Sequence, residues 1–354
     1  MQSSYADYAS ILKCPMTKES VRYTDKQSDY KQFLDGQTVE HGFLNTSGTC
    51  FYPIVEGIIC MLPDASAADR VDFNVQRVRN FYNEFGWEKD DQGRFNDSRL
   101  FIEKKSAAQE YYTKTTERLH RFLRPSGKYV LDVASGPVFQ PENQAFSRHF
   151  EKRICVDISI KALREARRNV GDEHGIFIHG DITNLPLATE VCDNVMCIHT
   201  LYHVPRELQE AAVAELIRVC KPDSNIIILY NWAWHSWLMN VLLLPVRILK
   251  ASQRLYRYCT VSAKDRWLSG GLYFYPHPPA WFERLASQNR NVQVRFHPLT
   301  SIHQDFIKYY IHNGLGGAWL LCQVLRLEER YPRYLGRHGA FAFVVLRKGG
   351  SSLV

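Results

Sequence analysis

A chain of 354 residues is long enough for one full hydrophobic core with an accessory piece, and 45% hydrophobic with 23% charged residues is an ordinary globular composition. The net charge of +7 is too mild to mark a dedicated polyanion binder. The most apolar run, WLMNVLLLPVRIL at 237–249, is interrupted by Asn240, Pro245 and Arg247 and falls short of the ~20 apolar residues that span a bilayer. Nine scattered cysteines without a C-x-x-C pair, and an opening MQSSYADYAS with neither a basic stretch nor an apolar core, give the expectation of a reduced, cytoplasmic setting.

In chain order, residues 10–62 alternate apolar and polar positions between Pro and Gly punctuation (ILKCPMTKESVRY, then FYPIVEGIICMLP), which predicts a few short strands. Val71, Val75, Val78 and Phe81-Tyr82 recur at helical spacing over 67–86, residues 86–98 are polar and turn-rich, and a second helix is predicted from about Ser106 to Leu123. A regular alternation then begins. Strand Tyr129–Val133 leads through the small residues Ala134, Ser135 and Gly136 to a helix over 142–150. Strand Arg153–Asp157, helix Ile160–Asn169, strands Ile176–His179 and Asn194–His199, helix Arg206–Val219 and strand Asn225–Tyr230 follow. An aromatic and leucine-rich insert occupies 231–279. Helix Pro279–Ser287, strand Val292–Phe296, helices within 303–312 and 316–329 and a last apolar run Ala340–Leu346 close the chain. Strands alternating with helices predict an α/β fold: a Rossmann-like, doubly wound, mostly parallel seven-stranded sheet with helices on both faces, plus a small N-terminal β-rich module.

The stretch KYVLDVASGP (128–137) organises the rest. A buried strand running through a small-residue turn into a helix lets a ligand approach the backbone, and the acid ending the strand suits an ammonium or hydroxyls better than a pyrophosphate. Asp132, Asp157, Asp181 and Asp193 are read as four carboxylates at strand ends. Asp157 follows Asp132 by 25 residues, close to the ~20-residue offset of a ribose-binding acid.

LDVASGP (131–137), VDIS (156–159), GDITNLPL (180–187) and CDNVMCIHTLYHV (192–204) resemble, in order and spacing, the signature blocks of class I S-adenosylmethionine-dependent methyltransferases. The resemblance is to the menaquinone/ubiquinone-methyltransferase-like branch, over about 125–232. It implies S-adenosyl-L-methionine as cofactor, with Asp132, Ala134, Ser135 and Gly136 along its methionine part. It also implies Asp157 and Ile158 at the ribose, Asp181 and Ile182 at the adenine, and His199 near the transferring methyl. The family places glycines at alternate positions after the acid, where this chain has Ala134, Gly136 and Val138. KCPMT (13–17) and YPIVEGI (52–58) resemble the Trm112-type zinc-ribbon module, but Thr17 stands where a second cysteine would sit and only Cys50 remains of the later pair, so no metal is expected.

The expected organisation is a degenerate Trm112-like module over 1–66, a helical lead-in covering the cofactor over 67–124, and a methyltransferase domain over 125–348 with its substrate-cover insert at 231–279. A sulfonium methyl is already activated, so a base near the acceptor is the chemistry left to the protein. His203 is the first candidate, with Tyr202 shaping the pocket, and His235 and His277 are weaker ones. The insert's Trp232, Trp234, Trp237 and Leu242–Leu244, followed by Arg247, Lys250, Arg254 and Arg257, fit a small-molecule or lipid-like acceptor. They also fit a peripheral membrane contact through 234–257, against the plainer reading of a helix packed on the sheet. A ribbon ahead of this domain is also similar to the arrangement in ribosomal-RNA guanine-N1 methyltransferases. Without a concentrated Lys/Arg–aromatic surface in the first 60 residues, nucleic acid is not the expected partner. A non-catalytic binding protein of the same fold is the remaining alternative, and the oligomeric state is left open.

Overall fold

The computed structural model describes residues 2–34, 39–62, 106–251, 273–289 and 291–349. The helix expected over 67–86, the turn-rich stretch 86–98, and Arg254 and Arg257 lie outside the described residues. The strands are β1 (Val21–Thr24), β2 (Gly42–Asn45), β3 (Phe51–Val55), β4 (Ile58–Cys60), β5 (Gly127–Val133), β6 (Phe150–Asp157), β7 (Gly175–His179), β8 (Asn194–Ile198), β9 (Ser224–Asn231), β10 (Val292–Thr300) and β11 (Phe341–Lys348). They form one sheet in the order β1-β2-β3-β4-β7-β6-β5-β8-β9-β11-β10. From β4 to β9 all neighbours run parallel, while β11 is antiparallel to both β9 and β10. The chain steps outward from β5 in both directions, first through β6 and β7 and then through β8 and β9. The carboxyl end of β5 is therefore the topological switch point where such sheets bind ligands.

The strands form where the sequence is apolar on both faces, as a sheet covered by helices requires. In β5, Leu131 and Val133 join the larger core cluster, and Val130 points to the opposite one with Met196 and Ile227. Helix Ile160–Val170 starts where the Ser159 hydroxyl accepts from the Ala162 amide and ends at Gly171, whose φ of 82° few other residues adopt. The helix expected over 142–150 is only Pro141–Ala145, because β6 begins at Phe150 and claims the residues before Arg153.

The N-terminal strands continue the main sheet. β4 lies parallel to β7, with Ile58 opposite Phe177, and an antiparallel run β3, β2, β1 extends outward from it. The segment before β1 is stitched to the loop after β7: Lys13 N donates to Pro186 O (3.1 Å), Ala188 N to Ile11 O (2.8 Å) and Asn184 Nδ2 to Pro15 O (3.0 Å). Where a zinc ribbon would hold its ion, Cys14 Sγ lies 3.0 Å from the Tyr52 hydroxyl and receives Thr17 N (3.3 Å). The Asn45 amide sits among oxygens of Thr17, Glu19, Ser47 and Thr49. Hydrogen bonds close this corner, and no group of three or more His, Cys, Asp or Glu among the described residues is arranged to hold a metal.

Candidate active site

The turn after β5 carries a distinctive backbone. Ala134, Gly136 and Val138 have φ of 51°, 58° and 47°, the left-handed region that glycine enters freely and other residues at a cost of about 1 kcal/mol each. The glycine conformation is thus kept at all three alternate positions although only one is glycine. What holds it is the surrounding wiring. Ala134 N donates to Val156 O (2.7 Å), Gly136 N to Asp157 Oδ2 (2.9 Å), and Asn169 Nδ2 to Pro137 O (2.8 Å). Val138 is buried against Cys155, Leu163 and Ala166, so its side chain fills the gap between β6 and the following helix without altering the turn.

The carboxylates fall into different surroundings. Asp157 ends β6 beside that turn, and its other oxygen accepts from Ser159 N (2.8 Å). Burial pushes its pKa up to about 6, against the lowering pull of these amides. Asp132 is also buried, and its Oδ2 is paired with Arg153 Nη2 from the neighbouring strand. Arg153 in turn donates through Nη1 to Asn143 O (2.5 Å), and its Nε has no hydrogen-bond partner among the described residues. The sequence reading does not single out this arginine; the available signal is a cation that, unlike its neighbour Lys152, is followed directly by the apolar run of β6. Asp132 Oδ1 has no hydrogen-bond partner among the described residues. Asp181, beyond the end of β7, accepts Thr183 N (2.8 Å) in a local turn. Next to it, Ile158 and Ile182 are both half-buried, and the Ile158 carbonyl hydrogen-bonds His179 Nε2 (3.1 Å). The fourth carboxylate does not belong here. Asp193 precedes β8, at the amino edge of the sheet, where it accepts the amides of Lys128 and Tyr129 and the Lys221 ammonium (2.7 Å). Burial would raise its pKa, but the bond from Lys221 and those amides outweigh this and leave it lowered, as befits a structural ion pair.

At the carboxyl end of β8, His199 takes a φ of 56° and is exposed, with Nδ1 2.9 Å from the Tyr202 hydroxyl and its ring edge-on to Phe341. Desolvation by the surrounding protein, helped by His203, holds its pKa below the ordinary value. Tyr202 is buried among Tyr230, Phe274 and His203. His203 Nδ1 lies 2.7 Å from the Tyr273 carbonyl; a carbonyl only accepts, so Nδ1 carries the proton and Nε2 the lone pair. Burial lowers His203 to about 4, so it is neutral at physiological pH. His235 is bound to the Pro276 carbonyl (3.2 Å) and His277 is stacked on Trp281. Ala134, Ser135, Gly136, Asp157 and His199 thus all stand at the switch point between β6, β5 and β8.

Residues 131–228, running from within β5 to within β9, match the family model described as "Methyltransferase domain". These residues thus carry a methyltransferase domain, built on the central strands of the sheet. No curated protein matches the sequence. Among solved structures it is similar to magnesium protoporphyrin IX methyltransferase from Synechocystis PCC 6803 with bound SAM (13% identity, TM-score 0.45, covering 79% of this chain and 99% of that one). It is also similar to a SAM-dependent methyltransferase from Archaeoglobus fulgidus (15%, 0.41, 71% and 98%). A third is a complex containing the Haloferax volcanii Trm112 methyltransferase activator (13%, 0.43, 69% and 92%). Likenesses this loose say nothing of the acceptor.

Proposed function

We propose that the chain transfers a methyl group from S-adenosylmethionine to a small-molecule or lipid-like acceptor at the carboxyl edge of β5 and β8. The observation that carries this reading is the turn 134–138, which keeps three left-handed positions in alternation and is tied through Gly136 to Asp157. A backbone strained at two non-glycine positions is held by its surroundings, and such strain gathers at ligand sites.

The side chains present suit the cofactor. The Asp157 carboxylate has lone pairs beyond those used by the two amides, enough to accept ribose hydroxyls. The half-buried Ile158 and Ile182 offer apolar faces for a flat base, and Asp181 stands at its rim. Asp132 keeps Oδ1 for the ammonium, while Arg153 neutralises part of its charge. Ala134 and Ser135 offer backbone and a hydroxyl beside the methionine chain. When bound, the cofactor supplies an activated methyl on a sulfonium. The protein's share is to align the acceptor in line with that methyl, to exclude water and to take the acceptor's proton. His199 is an exposed imidazole at this edge. In the tautomer whose Nδ1–H donates to Tyr202, its Nε2 holds a lone pair toward the acceptor. Tyr202 sets that orientation, and His203, fastened to Tyr273, backs it as a neutral ring. The same reading takes residues 1–66 as an appended module, 67–124 as the cofactor cover, and 125–348 as the catalytic domain with its cover at 231–279.

Calorimetric titration of the full chain with S-adenosylmethionine tests the site. Asp157→Ala is expected to weaken binding at least about tenfold, the worth of a charge-assisted hydrogen bond. His199→Gln is expected to leave binding intact and to abolish product formation in a metabolite and lipid extract fed deuterated methyl donor. An unchanged affinity for Asp157→Ala, or a methylated product found only in RNA, would overturn the reading.

A further inference from the structure

We infer that the enzyme docks on an anionic phospholipid surface through the outward side of the helical stretch 237–251, joined by the neighbouring helices Gln304–Tyr310 and Gly317–Arg330. The stretch is helical except at Leu243. Its inner side is explained by packing: Met239, Leu243 and Val246 lie in a buried cluster with Ile307, Ile311 and Leu321. Its outer side is apolar as well. Trp237, Val241, Leu244 and Ile248, at successive spacings of four, three and four, form one stripe and are exposed to 50%, 62%, 55% and 63%. A helix resting on a core in water normally turns polar residues outward. Among the described residues, every exposed large apolar side chain other than Met16 and Val55 lies between 234 and 334. Tyr310 closes onto the stripe through its hydroxyl on the Leu242 carbonyl (3.2 Å), and Trp319 is exposed on the helix beyond.

Charge selects the occupant. Residues 234–251 contain no acid, and Arg247 emerges in the stripe between Leu244 and Ile248. On the adjoining helices Lys308, Arg326 and Arg330 are exposed. The acids there are already engaged: Asp305 by Lys250, Glu328 by Arg118, and Glu329 by Arg118 and Arg121. What faces outward is therefore tryptophan, leucine and isoleucine among cations, the pairing that partitions into the interface of an anionic leaflet. A second copy of the chain would set these cations against each other. The inference rests on the lipid-like acceptor reading for its purpose, although the two are tested separately.

The test is co-sedimentation of the full chain with phosphatidylcholine vesicles, with and without phosphatidylglycerol. The chain is expected to pellet with the anionic vesicles and to shift its tryptophan emission to the blue. Trp237→Glu with Ile248→Glu should weaken this roughly tenfold or more, and Arg247→Gln severalfold on anionic vesicles only. The variants should keep the wild-type circular dichroism and S-adenosylmethionine affinity. Should the double variant fold poorly, quenching of the wild-type tryptophans by brominated acyl chains decides the matter, and no quenching overturns the inference. Equal partition of variant and wild type overturns it, as does a concentration-dependent dimer dissolved by the same substitutions. Failure of the wild type to bind vesicles while its methyl transfer is intact sinks only the docking surface, whereas intact lipid binding without a methylated small molecule or lipid sinks only the acceptor reading.

Discussion

Ala134 and Val138 share a backbone conformation that neither side chain favours, yet the consequences of relieving it differ. Ala134 is half-buried and places only a methyl, so Ala134→Gly is expected to stabilise the fold by about 1 kcal/mol. Val138→Gly removes the same strain but also a fully packed side chain worth about 1.5–3 kcal/mol, so it should destabilise. Urea unfolding of the two variants checks the opposite signs. Asp157 carries the second residue-scale prediction. Its folded pKa of about 6 lies above the ordinary value. The native state thus holds a proton that the unfolded chain releases, and stability from this group is present at low pH and lost as pH rises toward 6. Ribose hydroxyls favour the charged carboxylate. Cofactor affinity is therefore expected to rise roughly tenfold from pH 5 to 7 and to level off above, with proton release visible in calorimetry across buffers of different ionisation enthalpy. A flat profile would mean that Asp157 does not hold the ligand.

At the scale of elements, two helices about 200 residues apart in the chain meet through one buried acid. Glu328, on the helix Gly317–Arg330, accepts the Tyr111 hydroxyl (2.6 Å), Arg118 Nη1 (2.8 Å) and the Ser301 amide (2.6 Å). It thereby joins the helix Ser106–Thr116 and its extension to the end of β10. Removing one partner of a buried, hydrogen-bonded pair leaves the other charge without compensation, so Glu328→Ala should cost about 3–5 kcal/mol, read as a lowered urea midpoint. Strand and helix positions between β5 and β9 were legible because apolar runs and capping residues act locally: Ser159 and Gly171 bound their helix as a cap and a stop. The helix after the turn was overestimated because Phe150 pairs with Gly127 across β5 and β6, a contact that periodicity along the chain does not contain.

For the molecule as a whole, the sheet runs on into the N-terminal strands through β4 and β7, so the appended module extends the same hydrogen-bonded platform. No described helix is long and apolar enough to cross a membrane, and contact with lipid would be a matter of the exposed stripe along 237–251. By itself the sequence determined the alternating α/β order, the small-residue turn at 134–138 and the acid ending β6, since each is written in neighbouring residues. Only the tertiary structure decided that Asp193 belongs to the amino edge, that Arg153 claims part of Asp132, and that the His199 ring is exposed beside Tyr202 while His203 is tied to Tyr273. Those outcomes depend on which strands lie side by side and which edge a side chain reaches, and pairing between distant segments fixes both.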